Sequence, residues 1–316
     1  MSFRQESKEA ARKAGGSFKT RAAREQMMGQ LADYLERENI QIWQIAQLKL
    51  KHIKGWITAS RQEGISDRSC QNRLTAVRGC LRAAGMTRKG AEIRTRDFGV
   101  DGASREGTRA AISATAYAER IAKITNPAVA ATLELQRHLG LRQMEAIRGG
   151  ERETLARWLR ELSHGDRVRV VLGTKGGRPR ETRVLDREAA LGAVGQALER
   201  VGKNGRLIQA AGLKQAVDQF NNAVRAAGFI GDCSPHSLRY AFAQASIRRY
   251  EAEGFSHGEA LALTSLDLGH GDGRGRWIEH VYGRGQDGGS KEADSNETSE
   301  RRIGEFAAAK GGAILT

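Results

Sequence analysis

Cysteine is nearly absent from this chain: Cys70, Cys80 and Cys233 are the three in 316 residues, and no two have CxxC spacing. An odd count without that spacing argues against a disulfide framework and against a cysteine-bound metal. Long apolar runs are lacking as well, and no stretch approaches the roughly 20 residues that a membrane span needs. The first twenty residues are charged and not apolar. The expectation is therefore a soluble protein of a reducing cytoplasm, without a signal peptide or a membrane span, in which Cys70 and Cys80 are core thiols. No GxxxxGK[ST] phosphate loop, HExxH pair or cysteine cluster is present, so neither a nucleotide cofactor nor a metal is expected. Acidic residues also run short. Against 37 Asp and Glu stand 52 Lys and Arg, a formal net charge of +15, and such an excess implies a polyanionic partner. Nucleic acid is the first reading and an anionic membrane surface the second. The excess is concentrated early, since residues 1–105 hold 21 basic against 11 acidic side chains.

At 39% hydrophobic the chain can bury two modest cores. Residues 1–18, polar and rich in Gly, Ser and Ala, read as a mobile basic arm, either adding phosphate contacts or simply untethered. Over 19–87 three helical patterns follow, carried by Met27, Leu31, Tyr34 and Leu35, by Leu48, Ile53, Trp56 and Ile57, and by Cys70, Leu74, Val77 and Leu81. Lys49, Lys51 and Lys54 lie off the apolar face of the second helix, and Arg73 and Arg78 belong to the third. They form either a DNA-clamping surface or a solvated charged face. Residues 88–107 read as a linker.

A second domain is expected over 108–284. Asn126-Pro127 opens a buried helix that Gly140 stops. Arg142 and Glu145 then share one face of a short helix at i and i+3 and can pair. Two β-branched runs, Val168–Leu172 and Glu181–Leu185, flank a turn with three glycines and read as a hairpin, with Lys175 near its tip and Arg178 beyond it. That lysine can donate a proton in a cleft, contact phosphate, or touch nothing. Ser234-Pro235 opens another helix, on which Leu238 and Phe242 face inward while His236 and Arg239 share the opposite side, spaced to grip one phosphate. His270 sits in the turn just past a helix, and Tyr282 closes an amphipathic segment with Trp277, Ile278 and Val281. Residues 285–316 read as a flexible tether and C-terminal tail whose end either docks, on this protomer or a neighbour, or frays. The fold class is mainly α with a small β-hairpin: an N-terminal helical domain and a mixed α/β domain.

Taken in order, Gly140-Leu141-Arg142 with Glu145, the hairpin Lys175, Pro235-His236-Ser237-Leu238-Arg239, Leu268-Gly269-His270 and Val281-Tyr282 resemble the tyrosine recombinase (phage integrase) family. Each piece is common, but the ordered set over 108–284 is specific. The resemblance implies a core-binding domain over the N-terminal helices and a C-shaped clamp around duplex DNA at attachment sites. It further implies a homotetramer on paired sites, a prokaryotic cytoplasmic setting on nucleoid DNA, and no cofactor. Tyr282 would attack the scissile phosphate, forming a 3′-phosphotyrosyl link and freeing a 5′-hydroxyl. Arg142 and Arg239 would clamp the nonbridging oxygens, to which His270 would donate. Lys175 would protonate the leaving oxygen, and His236 would assist proton transfer at the tyrosine. Glu145 would orient Arg142. Lys49, Lys51, Lys54, Arg73, Arg78 and Arg178 are the expected DNA contacts.

Two features depart from the family pattern. His270 and Tyr282 lie twelve residues apart, a longer spacing than is usual, with Gly271-Asp272-Gly273-Arg274-Gly275 between them. Residues 149–166 look helical around Trp158, where the family passes quickly into sheet. Of the other tyrosines, Tyr34 and Tyr117 read as packing residues, and Tyr240 and Tyr250 do not follow the histidine turn. His280 reads as an exposed helix residue. The alternatives are a degenerate integrase that binds DNA without cutting it and a nicking enzyme similar to type IB topoisomerases.

Overall fold

The structure is a computed structural model and describes residues 2–102, 110–271 and 273–283. These residues form mainly helices, with one two-stranded antiparallel sheet. The chain divides into two compact units, Met1–Glu106 and Gly107–Thr316.

The first unit contains α1 (Phe3–Lys13), α2 (Phe18–Arg37), α3 (Leu50–Gln62), α4 (Asp67–Ala83) and α5 (Thr87–Glu92). Leu31, Leu35, Ile53, Trp56, Leu74, Val77 and Leu81 build its core, so the three expected apolar stripes face one another except at Met27, which is only partly buried while its neighbour Met28 takes the inward position. Ser66 caps α4 by accepting the Ser69 N–H at 3.3 Å. The reading of residues 1–18 as a mobile arm does not hold for the segment that forms α1. Ser2 and Gln5 form a reciprocal capping box at its start, and Phe3, Ala10 and Ala11 are buried along one side. Small alanines do not look like a buried stripe, which is why composition alone suggested a tether. The reading of residues 88–107 as a linker fails as far as Val100. Ile93, Phe98 and Val100 are buried in the same core as α4, and the Gln71 side chain donates to the Val100 carbonyl.

The second unit contains α6 (Ala114–Ile121), α7 (Pro127–Leu139), α8 (Gln143–Gly149), α9 (Arg152–His164), β1 (Arg167–Val170), β2 (Arg180–Arg183), α10 (Arg187–Glu199), α11 (Leu213–Ala226), α12 (Pro235–Ala252), α13 (His257–Asp267) and α14 (Gly275–Tyr282). The Asn126 side chain accepts from the Ala128 N–H at 2.9 Å, which starts α7, and Gly140 ends it at φ +58°. A Cβ there would lie 2.6 Å from the Phe242 ring, so glycine lets α7 and α12 approach. The puzzling charged segment around Trp158 is α9. Leu155, Trp158 and Leu162 are buried, and the Trp158 indole N–H donates to the Arg169 carbonyl at 2.9 Å, fastening the helix over β1.

The hairpin forms one or two residues earlier than the β-branched runs indicate. Val168 pairs with Thr182 and Val170 with Arg180, and these four residues are the buried ones of the two strands. Period-two alternation therefore aims Arg180 inward, beside two valines. The helix α12 also differs from its expected amphipathic form. Ser237, Leu238, Arg239, Tyr240, Phe242, Ala243 and Gln244 are all buried, because α12 packs against both α7 and α13. His236 remains at the exposed end while Arg239 lies inside.

Candidate active site

Three chain segments converge on one buried polar cluster. The first is the turn from α7 into α8, where Arg142 is the N-cap residue and Glu145 reaches back to accept the Arg142 N–H at 2.8 Å. The Arg142 guanidinium also meets Glu145, at 2.6 Å, and donates to the Leu268 carbonyl at 3.1 Å. The second segment is α12, which brings Arg239 to 1% exposure. Its Nη1 donates to the Gly140 carbonyl at 2.6 Å, and its Nη2 donates to Leu268. The two arginines thus share one carbonyl as an anchor, with their guanidinium groups side by side.

The third segment runs from the end of α13 to the end of α14. The His270 N–H donates to the Ser265 carbonyl at 2.9 Å, and the Ser265 hydroxyl donates to the Gly271 carbonyl at 2.9 Å, which folds the turn tightly. Helix α14 starts at Gly275 and buries Ile278 and Tyr282, four residues apart. The Tyr282 hydroxyl lies 3.2 Å from His270 Nε2 and accepts from Arg239 Nε at 3.4 Å. The twelve-residue spacing is thereby accommodated: Gly271 and Gly273 precede α14, and Gly275 opens it. Trp277 packs against His270 at a tilt of 47°, with ring centroids 4.2 Å apart, and Tyr240 packs edge-on against Tyr282 at 4.7 Å.

Charge is distributed unevenly in this cluster. Burial raises the Glu145 carboxyl pKa, but Arg180, by charge and hydrogen bond, then Arg239 and Arg142, overcome it and hold the pKa down at about 2. Burial lowers the Arg239 pKa to about 10, which leaves it charged at neutral pH. Burial, reinforced by the charges of Arg239, Arg142, Arg180 and Arg274, pulls the His270 pKa down to about 3. The imidazole is therefore neutral, with one nitrogen able to donate and the other to accept.

Of the residues singled out from the sequence, Arg142, Glu145, Arg239, His270 and Tyr282 come together. Lys175 and Arg178 stand exposed on the turn between β1 and β2. His236 touches Tyr240 edge-on at 5.5 Å, one ring removed from Tyr282. It lines a groove of about 510 Å³ together with Gln143, Asn221 and Arg225. In the first unit Lys49, Lys51 and Lys54 are exposed. Arg73 instead folds over the Trp56 ring at 5.0 Å and donates to Ser60 and Gln30. Arg78 donates to the Ile93 carbonyl at 3.4 Å and to Thr75 at 3.0 Å. Among the described residues, Arg180 is a buried site cation that sequence reasoning passed over. Arg180 pairs with Glu145 at 2.8 Å and is 4% exposed. Its only signal was an inward strand position, which depends on the hairpin register.

The family profile described as Integrase matches residues 99–245, and the one described as Phage integrase, N-terminal, matches residues 1–90. Together they span three quarters of the chain. The chain belongs to the tyrosine recombinase (phage integrase) family. This recombinase is a DNA breaking and rejoining enzyme of the site-specific class. His270 and Tyr282 lie C-terminal to the matched residues and enter the site by the geometry above. Among solved structures, the recombinase is similar to the Tn1549 transposon integrase in complex with transposon right end DNA. That match has 16% identity and a TM-score of 0.52, covering 98% of this chain and 100% of the other. A lambda integrase dimer bound to a COC′ core site matches with 16% identity and a TM-score of 0.57, over 92% of this chain and 79% of the other. A lambda integrase tetramer bound to a Holliday junction matches with 17% identity and a TM-score of 0.53, over 88% and 76%. No curated protein matches the sequence. Among the described residues, no helix is long and apolar enough to cross a membrane, and no group of three or more His, Cys, Asp and Glu could hold a metal ion.

Proposed function

We propose that the recombinase cleaves duplex DNA with Tyr282 as nucleophile and integrates or excises a mobile element. The observation that carries this reading is the Tyr282 hydroxyl, which lies within 3.4 Å of both Arg239 Nε and His270 Nε2. A phosphodiester gains negative charge on the way to its pentacoordinate state, so fixed cations beside the attacking oxygen lower the barrier. Arg142 and Arg239 would clamp the nonbridging oxygens, exchanging their bonds to Leu268 and Gly140 for bonds to phosphate. Neutral His270 would donate to a nonbridging oxygen from one tautomer and accept the phenol proton in the other. The phosphorus–oxygen bond to Tyr282 forms as the bond to the 5′-oxygen breaks, and Lys175 would protonate that oxygen. His236, one ring away, would act on Tyr282 only at longer range. The phosphotyrosyl link conserves bond energy, so rejoining reverses the step.

In this reading the first unit is a core-binding domain whose Lys49, Lys51 and Lys54 meet phosphates, and Arg178 adds a contact from the hairpin. The enzyme would act on prokaryotic nucleoid DNA as a homotetramer on paired attachment sites. The tetramer of the lambda relative supports that assembly. Residues 285–316, which lie outside the described residues apart from their sequence, would pack on the neighbouring protomer. Unchanged assembly on paired sites after deletion of 285–316 would contradict that role.

The nucleophile is tested by covalent trapping on nicked duplexes, whose cleavage product cannot religate. The duplexes would carry a site selected by the wild-type chain from a randomised pool. The wild type is expected to form an adduct resistant to denaturation and Tyr282→Phe none. An adduct in the variant would transfer the role to another residue.

A further inference from the structure

Arg180 has no part in the scheme above, yet its side chain is as enclosed as the core, at 4% exposure. A buried guanidinium costs more than an apolar side chain of the same shape unless its bonds are put to use. The bonds of Arg180 are directed at three separate places. Nη2 donates to Glu145 Oε2 at 2.8 Å and to the Gly140 carbonyl at 3.2 Å. Nε donates to Glu145 Oε1 at 3.5 Å, and Nη1 donates to the Asp267 carbonyl. Arg239, equally buried, donates to the Tyr282 hydroxyl, whereas the bonds of Arg180 go to Glu145 and to the Gly140 and Asp267 carbonyls, so Arg180 is not arranged as a third phosphate clamp.

What it touches instead are the supports of the residues that are so arranged. Gly140 begins the turn that presents Arg142, and Glu145 pairs with Arg142 and accepts its backbone N–H. Asp267 ends α13 just before Leu268-Gly269-His270. Gly269, at φ +67°, lies directly on the Arg180 stem, so that a Cβ there would collide with it. A single rigid fork thus links the strand β2, the Arg142 turn and the His270 turn. Glu145 is the shared counter-charge, lying 2.6 Å from Arg142, 2.8 Å from Arg180 and 4.0 Å from Arg239.

We propose that Arg180 is a positioning residue for strand cleavage, which fixes Arg142 through Glu145 and His270 through the Asp267 carbonyl so that both keep one geometry relative to Tyr282. The inference rests on the roles given above to Arg142, His270 and Tyr282. Arg180 differs from an ordinary structural ion pair in that its loss should alter the chemical step and its pH profile more than the affinity for DNA.

The test measures single-turnover adduct formation from pH 5 to 9 on the nicked, pool-selected duplexes, with the DNA dissociation constant and thermal unfolding followed for each protein. The proteins are the wild type, Tyr282→Phe, Arg180→Met, Arg180→Lys, Glu145→Gln and the Glu145→Gln/Arg180→Met double variant. Arg180→Met should slow adduct formation by roughly 10- to 100-fold, the scale on which outer hydrogen-bond partners act at metal centres. Its DNA affinity should stay within about threefold of the wild type, an effect confined to the chemical step. Lysine cannot span both carboxylate oxygens, so Arg180→Lys should be intermediate. In both variants the acid limb of the profile should move up as Glu145 loses its partner. The double variant should be no slower than Arg180→Met, because the two residues act as one unit.

Wild-type rate and pH profile in folded Arg180→Met would overturn the inference, and where that variant melts out, the same result in Arg180→Lys would do so. A loss confined to DNA affinity would also overturn it, making Arg180 a DNA contact. An adduct that persists in Tyr282→Phe refutes the nucleophile assignment instead. An adduct that depends on Tyr282 but is indifferent to Arg180 refutes only the positioning role.

Discussion

Replacing Glu145 with glutamine should destabilise the second unit by an amount that the surroundings of this carboxylate define. The side chain is fully buried, and three guanidinium groups lie within 4.0 Å of it. Its carboxyl sits at about 2 against an ordinary value of 4.5, a displacement equivalent to roughly 3 kcal/mol of folding stability at neutral pH. Because the folded value is depressed, that contribution is complete above the unfolded value near 4.5 and is lost as pH falls towards 2. Glutamine preserves the shape but leaves the cations without a counter-charge. Breaking a buried pair from one side costs about 3–5 kcal/mol, in agreement with the linkage figure. For a unit of about 200 residues this corresponds to a fall of roughly 6–12 °C in Tm at pH 7. The assay is thermal unfolding of the full chain at pH 7 and at steps below 4.5, where the gap between Glu145→Gln and wild type should narrow. A gap under about 2 °C at pH 7, or one that does not narrow with acid, would refute the reasoning.

Other outcomes follow from the same geometry. Lys175→Ala should slow cleavage by about 100-fold or more. Replacing the bridging 5′-oxygen with sulfur should restore the rate, since a thiolate leaves without a proton; no recovery would remove Lys175 as the acid. His270 is neutral down to about pH 3, so kcat/KM should show no limb from this residue between about pH 5 and 8. A limb near its ordinary value that disappears in His270→Asn would contradict that. Lys51→Gln and Lys54→Gln should each reduce the salt dependence of DNA affinity by about one unit of slope. Arg73→Gln should instead lower the melting temperature of the first unit, because Arg73 covers Trp56; the reverse pattern would mean that the inward Arg73 turns out to DNA.

The parts of this architecture that repeat at short range were legible in the sequence. The stripe of Ile53, Trp56 and Ile57, the Asn126-Pro127 start and the Gly140 stop all formed where spacing and capping chemistry placed them. The ordered motifs around Arg142, Arg239, His270 and Tyr282 identified residues that do converge, even across the unusual spacing before Tyr282. What was hidden depended on packing between distant segments. Arg239 looked like a partner of His236 on an open helix face, because nothing local to α12 reveals that α7 and α13 enclose both sides. Arg180 was hidden by a register shift of one or two residues in the hairpin, which decides whether its side chain faces the core or the solvent. Helix α1 was hidden because Ala10 and Ala11 bury well without adding to apolar periodicity.

The central claim is that Tyr282 becomes covalently joined to a 3′-phosphate, and the most direct measurement is the mass of that peptide. Wild-type adduct on a nicked duplex is digested with nuclease and protease, and the nucleotide-bearing peptide is sequenced by fragmentation. The account predicts a single modified tyrosine at position 282, carrying the 3′-linked remnant, with a free 5′-hydroxyl on the released strand. A remnant on Tyr240 or Tyr250, a 5′-linked nucleotide, or cleavage with no protein attached would contradict it.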